Sequence, residues 1–547
     1  MAADLVVAGG MVVDGTGAPP KRADVAVTGG RISEIGPGLH GHEMLDAAGQ
    51  VVSPGFIDIH THYDAQVFFD PALTPSCYHG VTTVVAGNCG FSIAPTRPEM
   101  RELIARTLES VEDMDYNVLL EGVPWDFTTF PEYLDSVRRR GAVLNFAAYV
   151  GHTALRLFAM GESAYDRTAT EDECRVMAGI VREAMEAGAA GLATSFAPPH
   201  NGADHRPVPS RLADRAELDA LLRAIAGTRR GVVAVAPGEL VGISDLYELQ
   251  RATGLPFTYG ALLTSPAGRH DDLLELNRRG RSEGADVWPQ VTSRPLTFVF
   301  GMDAPYLLNV NPEFRALGAC SIEKRRKSYL DSDWRRRAWD GFVGVAMPPR
   351  WDTYEIAGRR VVDLARGRGC TPLDVILDAA TETPDLKLEV RCVIANDDQA
   401  GVARLLRDDT CTLGLSDAGA HVGQLCDAPQ ATDFLGLWVR DRELMPIETA
   451  VRKLTGVQAD LFGFPDRGYL RPGGWADIVV FDPDTVAPGP IRRVRDFPGG
   501  SARLTADQPL GITHVLVNGT PIRRSGEPVD EGVGRRPGQV ISPMVRQ

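Results

Sequence analysis

No stretch of the 547 residues approaches 18 uninterrupted apolar positions, which excludes a transmembrane helix. The opening segment, MAADLVVAGGMVVDG, lacks the basic start and long apolar core of a secretory signal. There is no CxxC, and the eight cysteines are scattered without paired spacing, as expected of reduced thiols in a cytoplasmic protein. Positive charge is also in short supply: 57 Lys+Arg against 72 Asp+Glu leave a net charge of −15. Such a surface repels phosphate backbones, and Arg138–Arg140 and Arg335–Arg337 are basic runs too short to override it. With 44% hydrophobic and 24% charged residues, the composition is that of a globular protein and excludes disordered or coiled-coil classes. The expectation is a cytoplasmic enzyme with a small-molecule substrate and no nucleic-acid or membrane partner. Homo-oligomerisation stays open.

The first fifty residues carry short β-rich runs, Leu5–Val7, Met11–Val13, Val25–Val27 and Arg31–Ile35, punctuated by Gly-rich turns. Asp477–Phe481 and His514–Gly519 repeat the pattern at the far end. Neither end has enough strands for a core, so one small β-sandwich built from both termini is predicted, over residues 1–55 plus 468–547. Between them, apolar runs such as Thr82–Ala86, Asn145–Val150 and Gly231–Val235 alternate with helical segments, among them Glu171–Gly188 and Asp214–Gly227. That alternation predicts a (β/α)8 TIM barrel over residues 56–467, with its chemistry at the strand ends. Residues 302–347 are mixed and charged, and are expected to form an insertion that acts as a lid.

The sharpest local signal is Pro54-Gly55-Phe56-Ile57-Asp58-Ile59-His60-Thr61-His62. Residues two apart on a strand share a face, so His60 and His62 can offer two imidazoles to one metal ion. An HxH also arises by chance as two solvated histidines, but the preceding Pro-Gly-Phe-Ile-Asp context favours the metal.

Together with GVTTVVAGNCGFSIAP, GLSDAGAH, GWADIVVFDPDT and VLVNGTPI, the PGFIDIHTH run resembles the amidohydrolase superfamily. Within it, the chain is most similar to the N-acyl-D-amino-acid deacylases, from residue 1 to about residue 540. The resemblance implies a zinc-dependent barrel that hydrolyses the amide of an N-acyl-D-amino acid. It implies metal ligation by His60, His62, Cys89 and Asp417, with Asp417 moving the proton between water and the leaving amine. Taken alone, Cys89 also fits a small buried hydrophobe and Asp417 a turn. His152, in a matching Gly-His segment, fits either a substrate-facing or a loop-bonding histidine. His421 fits a site residue or a plain loop histidine. Arg294, after Val287–Ser293, is the candidate for binding a substrate carboxylate through its planar fork, or else a surface arginine.

One departure stands out. The family places histidines at the ends of the fifth and sixth strands, but Gly231–Glu239 and Leu255–Thr264 contain none. His200, His205 and His270 lie between His152 and His421, none at the end of a strand-like run. At most one tightly bound zinc per chain is therefore expected. Hydrolysis of a linear amide is the leading activity. The alternative is an amidohydrolase-fold enzyme with an incomplete metal site that performs cyclisation, lyase or transfer chemistry.

Overall fold

The computed structural model describes residues 2–203, 206–265, 268–318, 320–345 and 348–546. At its centre lies an eight-stranded parallel sheet whose strands follow chain order. They are β1 (Phe56–Thr61), β2 (Val81–Ala86), β3 (Asn145–Gly151), β4 (Gly191–Ser195), β5 (Val232–Ala236), β6 (Phe257–Tyr259), β7 (Val287–Val291) and β8 (Thr412–Leu413). Every residue of β1 to β5 is buried. This explains why these runs read as continuous apolar stretches: helices cover the outer face and side chains fill the inner one. A parallel bridge between Thr61 and Ala418 brings the first strand to the segment that follows the last. The architecture is of the TIM-barrel type.

The connecting helices stop where their sequences direct. Glu171–Ala187 starts from a capping box of Thr170 and Glu173 and ends at Gly188, whose φ of 110° few other residues would tolerate. Arg215–Ala226 is capped by Asp214, whose side chain accepts from the Glu217 amide.

The two termini meet, but in one mixed nine-stranded sheet rather than the two packed sheets of a sandwich. The junction is antiparallel, with Ile478 opposite Pro54 and Phe481 opposite Val51. One long strand, Ala3–Val12, ties the N-terminal strands together, and Arg492–Val494 pairs separately with Arg503–Thr505. Ala3–Val12 pairs with Lys21–Thr28 on one edge and with Gly41–Asp46 and then Val51–Pro54 on the other. A register shift between Val7 and Gly10, at Gly9 with φ 77°, lets it serve all three.

The insertion is larger than the sequence suggested. Leu296–Gly301, Glu389–Ala395, Glu355–Ile356 and Arg359–Arg360 form a four-stranded sheet of their own. Phe298, Phe300, Tyr329, Trp334, Ile376 and Val390 give this body a separate core. Residues 319, 346 and 347 of the expected 302–347 stretch lie outside the described residues.

Candidate metal centre and active site

His60 is the fifth residue of β1, and His62 follows the strand's end as the cap of a short helix. Their rings lie 5.5 Å apart, centroid to centroid. Cys89 reaches them from the turn after β2, where the Asn88 amide donates to Ile59 O at 3.2 Å and Val85 O at 3.0 Å. The turn needs its glycines. A Cβ on Gly90 would sit 3.0 Å from Ala193 O, and Gly87 has φ 81°. Cys89 itself is held at φ 54°, an uncommon conformation for a residue with a side chain. The sulfur ends 3.6 Å from His60 Nε2, and the ligating atoms of His60, His62 and Cys89 all lie within 4.8 Å of one another.

Asp417 closes the cluster from the loop after β8. Ser416 Oγ donates to His60 O, and the His62 amide donates to Ala418 O, which locks this loop onto β1. Asp417 Oδ1 then lies 3.0 Å from His60 Nε2 and 3.7 Å from His62 Nε2. Asp417, like Cys89, has a positive φ, of 46°. Such backbone strain persists only where the surroundings fix it.

Two residues that the sequence did not single out aim the imidazoles. Gln290 on β7 donates through Nε2 to Thr258 Oγ1, so its Oε1 accepts from His60 Nδ1 at 2.5 Å. Glu112, the last residue of α1 (Arg101–Glu112), places Oε1 2.9 Å from His62 Nδ1, as a close charge contact rather than an aligned hydrogen bond. Both Nε2 atoms are thereby left to the cluster, the arrangement that orients ligating histidines. Neither residue carried a signal in the sequence: Glu112 ends an ordinary amphipathic helix and Gln290 sits inside a strand.

The electrostatics are those of a mutually supporting cluster. Burial opposes charge on His60, but Asp417 and Cys89 outweigh it and lift the ring to about 10. Burial pushes the Cys89 thiol up, while His60 and His62 draw it below its usual range. Asp417 is held well below the ordinary carboxylate range, its burial overcome by the same two rings. Two imidazoles, a thiolate and a carboxylate form a borderline-soft N, N, S, O donor set that suits zinc.

The fifth and sixth strands bring no ligand. β5 ends in Ala236, and β6 is followed by Gly260, where a Cβ would lie 3.1 Å from His60 Cε1. His205 lies outside the described residues.

Two of the expected substrate contacts are corrected. His152 is fully buried, with Nδ1 2.8 Å from Thr194 Oγ1 and Nε2 2.8 Å from Glu217 Oε1. Neither nitrogen is left for a substrate, because Glu217 draws the ring, together with Arg156, into a buried network. Arg294 donates to Asp427 at 2.7 Å and to Asp433 at 3.2 Å. Its charge is answered by two carboxylates of the protein itself. His421, also at φ 46°, packs edge-on against Phe298 of the inserted body at 5.3 Å.

A model of the amidohydrolase family matches residues 43–292 and 380–523. The chain belongs to the amidohydrolase family. The break in the match falls on the inserted body. An N-acyl-D-glutamate deacylase of Alcaligenes xylosoxydans xylosoxydans is 31% identical, over 98% of this chain and 96% of the relative. A D-aminoacylase structure with a binuclear metal centre, described by one-metal activation and second-metal attenuation, superposes with TM-score 0.69 at 27% identity and covers 99% of this chain and 100% of its own. The N-acyl-D-glutamate deacylase of Bordetella bronchiseptica, complexed with zinc and a phosphonate mimic of the tetrahedral intermediate, gives 0.67 at 27% with the same coverage. As a family member with this site, the chain is an amide-bond hydrolase.

Proposed function

We propose that this amidohydrolase deacylates N-acyl-D-amino acids with a single zinc ion at the cluster. The observation that carries the reading is the convergence of His60, His62 and Cys89 within 4.8 Å beside Asp417, in a chain that matches D-amino-acid deacylases along nearly its whole length. The two His Nε2 atoms and the Cys89 sulfur would hold the ion, with help from Asp417. When bound, zinc supplies Lewis-acid charge that acidifies water and polarises a carbonyl. Asp417, ionised and with 18% of its side chain accessible, accepts the proton as the water oxygen attacks the amide carbon. When the carbon–nitrogen bond breaks, Asp417 returns that proton to the leaving amine. Gln290 and Glu112 keep the imidazoles aimed throughout.

Ala236 and Gly260, which stand where β5 and β6 end and offer no donor, support the reading of a single ion. The inserted body, whose Phe298 and Tyr306 pack on His421, supports the role of a lid over the site. Two functional bodies, the barrel and the terminal sheet, remain the domain division we favour. No described helix is long and apolar enough to cross a membrane. The test is turnover of paired D and L N-acyl amino acids by zinc-loaded protein, with metal content measured before and after chelation. Selective cleavage of D substrates at one zinc per chain is expected. Activity untouched by complete metal removal would sink the reading.

A further inference from the structure

A histidine beyond the end of a barrel strand packs beside the Cys89 turn. His200 follows β4 in a tightly held loop: Arg211 Nη1 donates to the carbonyls of Pro198 and His200 and to Asn201 Oδ1. Ser110 of α1 donates to Asn201 O at 2.9 Å, two residues before Glu112 on the same helix. The His200 ring stands edge-on to Phe91 at 5.0 Å, two residues beyond Cys89. The charges of His421, His62 and Asp417 act on it, after burial as the larger influence.

The tautomer of this ring can be worked out. His200 Nδ1 lies 2.6 Å from Ser195 Oγ, the buried last side chain of β4. That oxygen already accepts from the Ala197 amide at 3.2 Å. A buried hydroxyl proton needs an acceptor, and His200 Nδ1 is the one available to it among the described residues. Ser195 therefore donates to Nδ1, and the remaining proton of a neutral ring sits on Nε2. Burial, with His421 and His62 nearby, pushes the ring down to about 3, so it stays neutral at working pH.

We propose that His200 is a further catalytic residue, a neutral imidazole whose Nε2–H donates to the oxyanion that forms as the substrate carbonyl is attacked. The proposal rests on the deacylase reading. It gives the site a fixed electrophile from the end of β4, in a barrel whose β5 and β6 bring no imidazole to the face. A donor aimed where charge develops costs no reorganisation during reaction. No proton leaves His200 in this role. The hydrogen bond strengthens as the carbonyl oxygen gains negative charge, and relaxes when the amine departs.

The test uses zinc-loaded wild type, His200→Ala and His200→Gln, whose side-chain amide can still donate. His200→Ala should lower kcat/KM about 100- to 1,000-fold and weaken a phosphonate mimic of the tetrahedral intermediate by a similar factor. KM should move only a few-fold, zinc content should not change, and His200→Gln should recover part of the loss. A loss below about tenfold, or unchanged phosphonate binding, overturns the proposal. So does a fall in zinc content, which would make His200 a ligand. Nitrogen NMR of the imidazoles, with His200 assigned from the glutamine variant, should show the Nε2–H form between about pH 5 and 8. An Nδ1–H form overturns the assignment. If the wild type cleaves no N-acyl-D-amino acid, the deacylase reading fails, while the nitrogen spectrum still decides the donor without any substrate.

Discussion

Gly260 faces the His60 ring so closely that a methyl group there would stand 3.1 Å from His60 Cε1. The end of β6 thus packs against His60, so a side chain placed there presses on the ring by a few tenths of an ångström.

Gly260→Ala should push His60 off its axis and lower zinc affinity about tenfold, and Gly260→His should lower it further rather than create a second site. Elemental analysis and competition with a chelator measure both. Two zinc ions per chain in Gly260→His would refute the steric account.

Gln290→Leu removes the acceptor that pins His60 Nδ1 and leaves the ring free to flip. Loss of such a supporting partner costs about 10- to 100-fold in metal affinity or activity. The expected signature is activity that recovers at high zinc, with little change in melting temperature. Zinc affinity equal to wild type would remove Gln290 from the site.

Asp417→Asn keeps the shape of the side chain but cannot take a proton. kcat should fall about 100- to 10,000-fold, with KM within a few-fold. Steady-state kinetics at saturating zinc separates this from a loss of metal. An unchanged kcat would mean that another group moves the proton.

The site was legible in the sequence wherever chemistry sits in a local motif. His60, His62 and Cys89 were visible because a strand and a glycine turn present them within a few residues, and the lack of histidine on β5 and β6 could be read directly. The partners that aim those rings were hidden, because Glu112 and Gln290 reach them only through the tertiary fold, 50 and 230 residues away along the chain. Arg294 and His152 misled for the same reason. Each has the right type and sits near a strand end, but its carboxylate partners, Asp427 and Asp433 or Glu217, come from other segments. In the fold, alternation of strands and helices was readable from period alone. The single terminal sheet was not, since it depends on one strand pairing along both edges.

Arg294→Lys now carries a different expectation from that of a substrate-binding arginine. The lysine keeps the charge but cannot hold Asp427 and Asp433 at once, and burial already lifts the Asp427 carboxyl to about 6 despite Arg294. Stability should fall by about 1.5 to 3 kcal/mol in denaturant melts. Turnover of a free-acid substrate and of its carboxylate-blocked analogue should fall equally. A loss confined to the acid would restore Arg294 as a carboxylate reader.

Glu217 ties pH to stability. It is fully buried between His152 and Arg156; burial raises its pKa, but these two partners outweigh burial and hold it below the ordinary range. A carboxyl depressed in the folded state contributes stability that is fully present above its unfolded pKa, about 4.3, and is lost as pH falls through the folded value. The expected result is a difference between wild type and Glu217→Gln that is large at neutral pH and shrinks below about pH 4. At neutral pH it should reach about 3 to 5 kcal/mol, because the amide leaves Arg156 buried without its counter-charge. Comparing the two proteins at each pH cancels the other carboxylates, which titrate alike in both. Denaturant melts from neutral pH down through this acid range give the curve. A difference that does not change with pH would show that Glu217 serves by shape and hydrogen bonding alone, with no contribution from its charge.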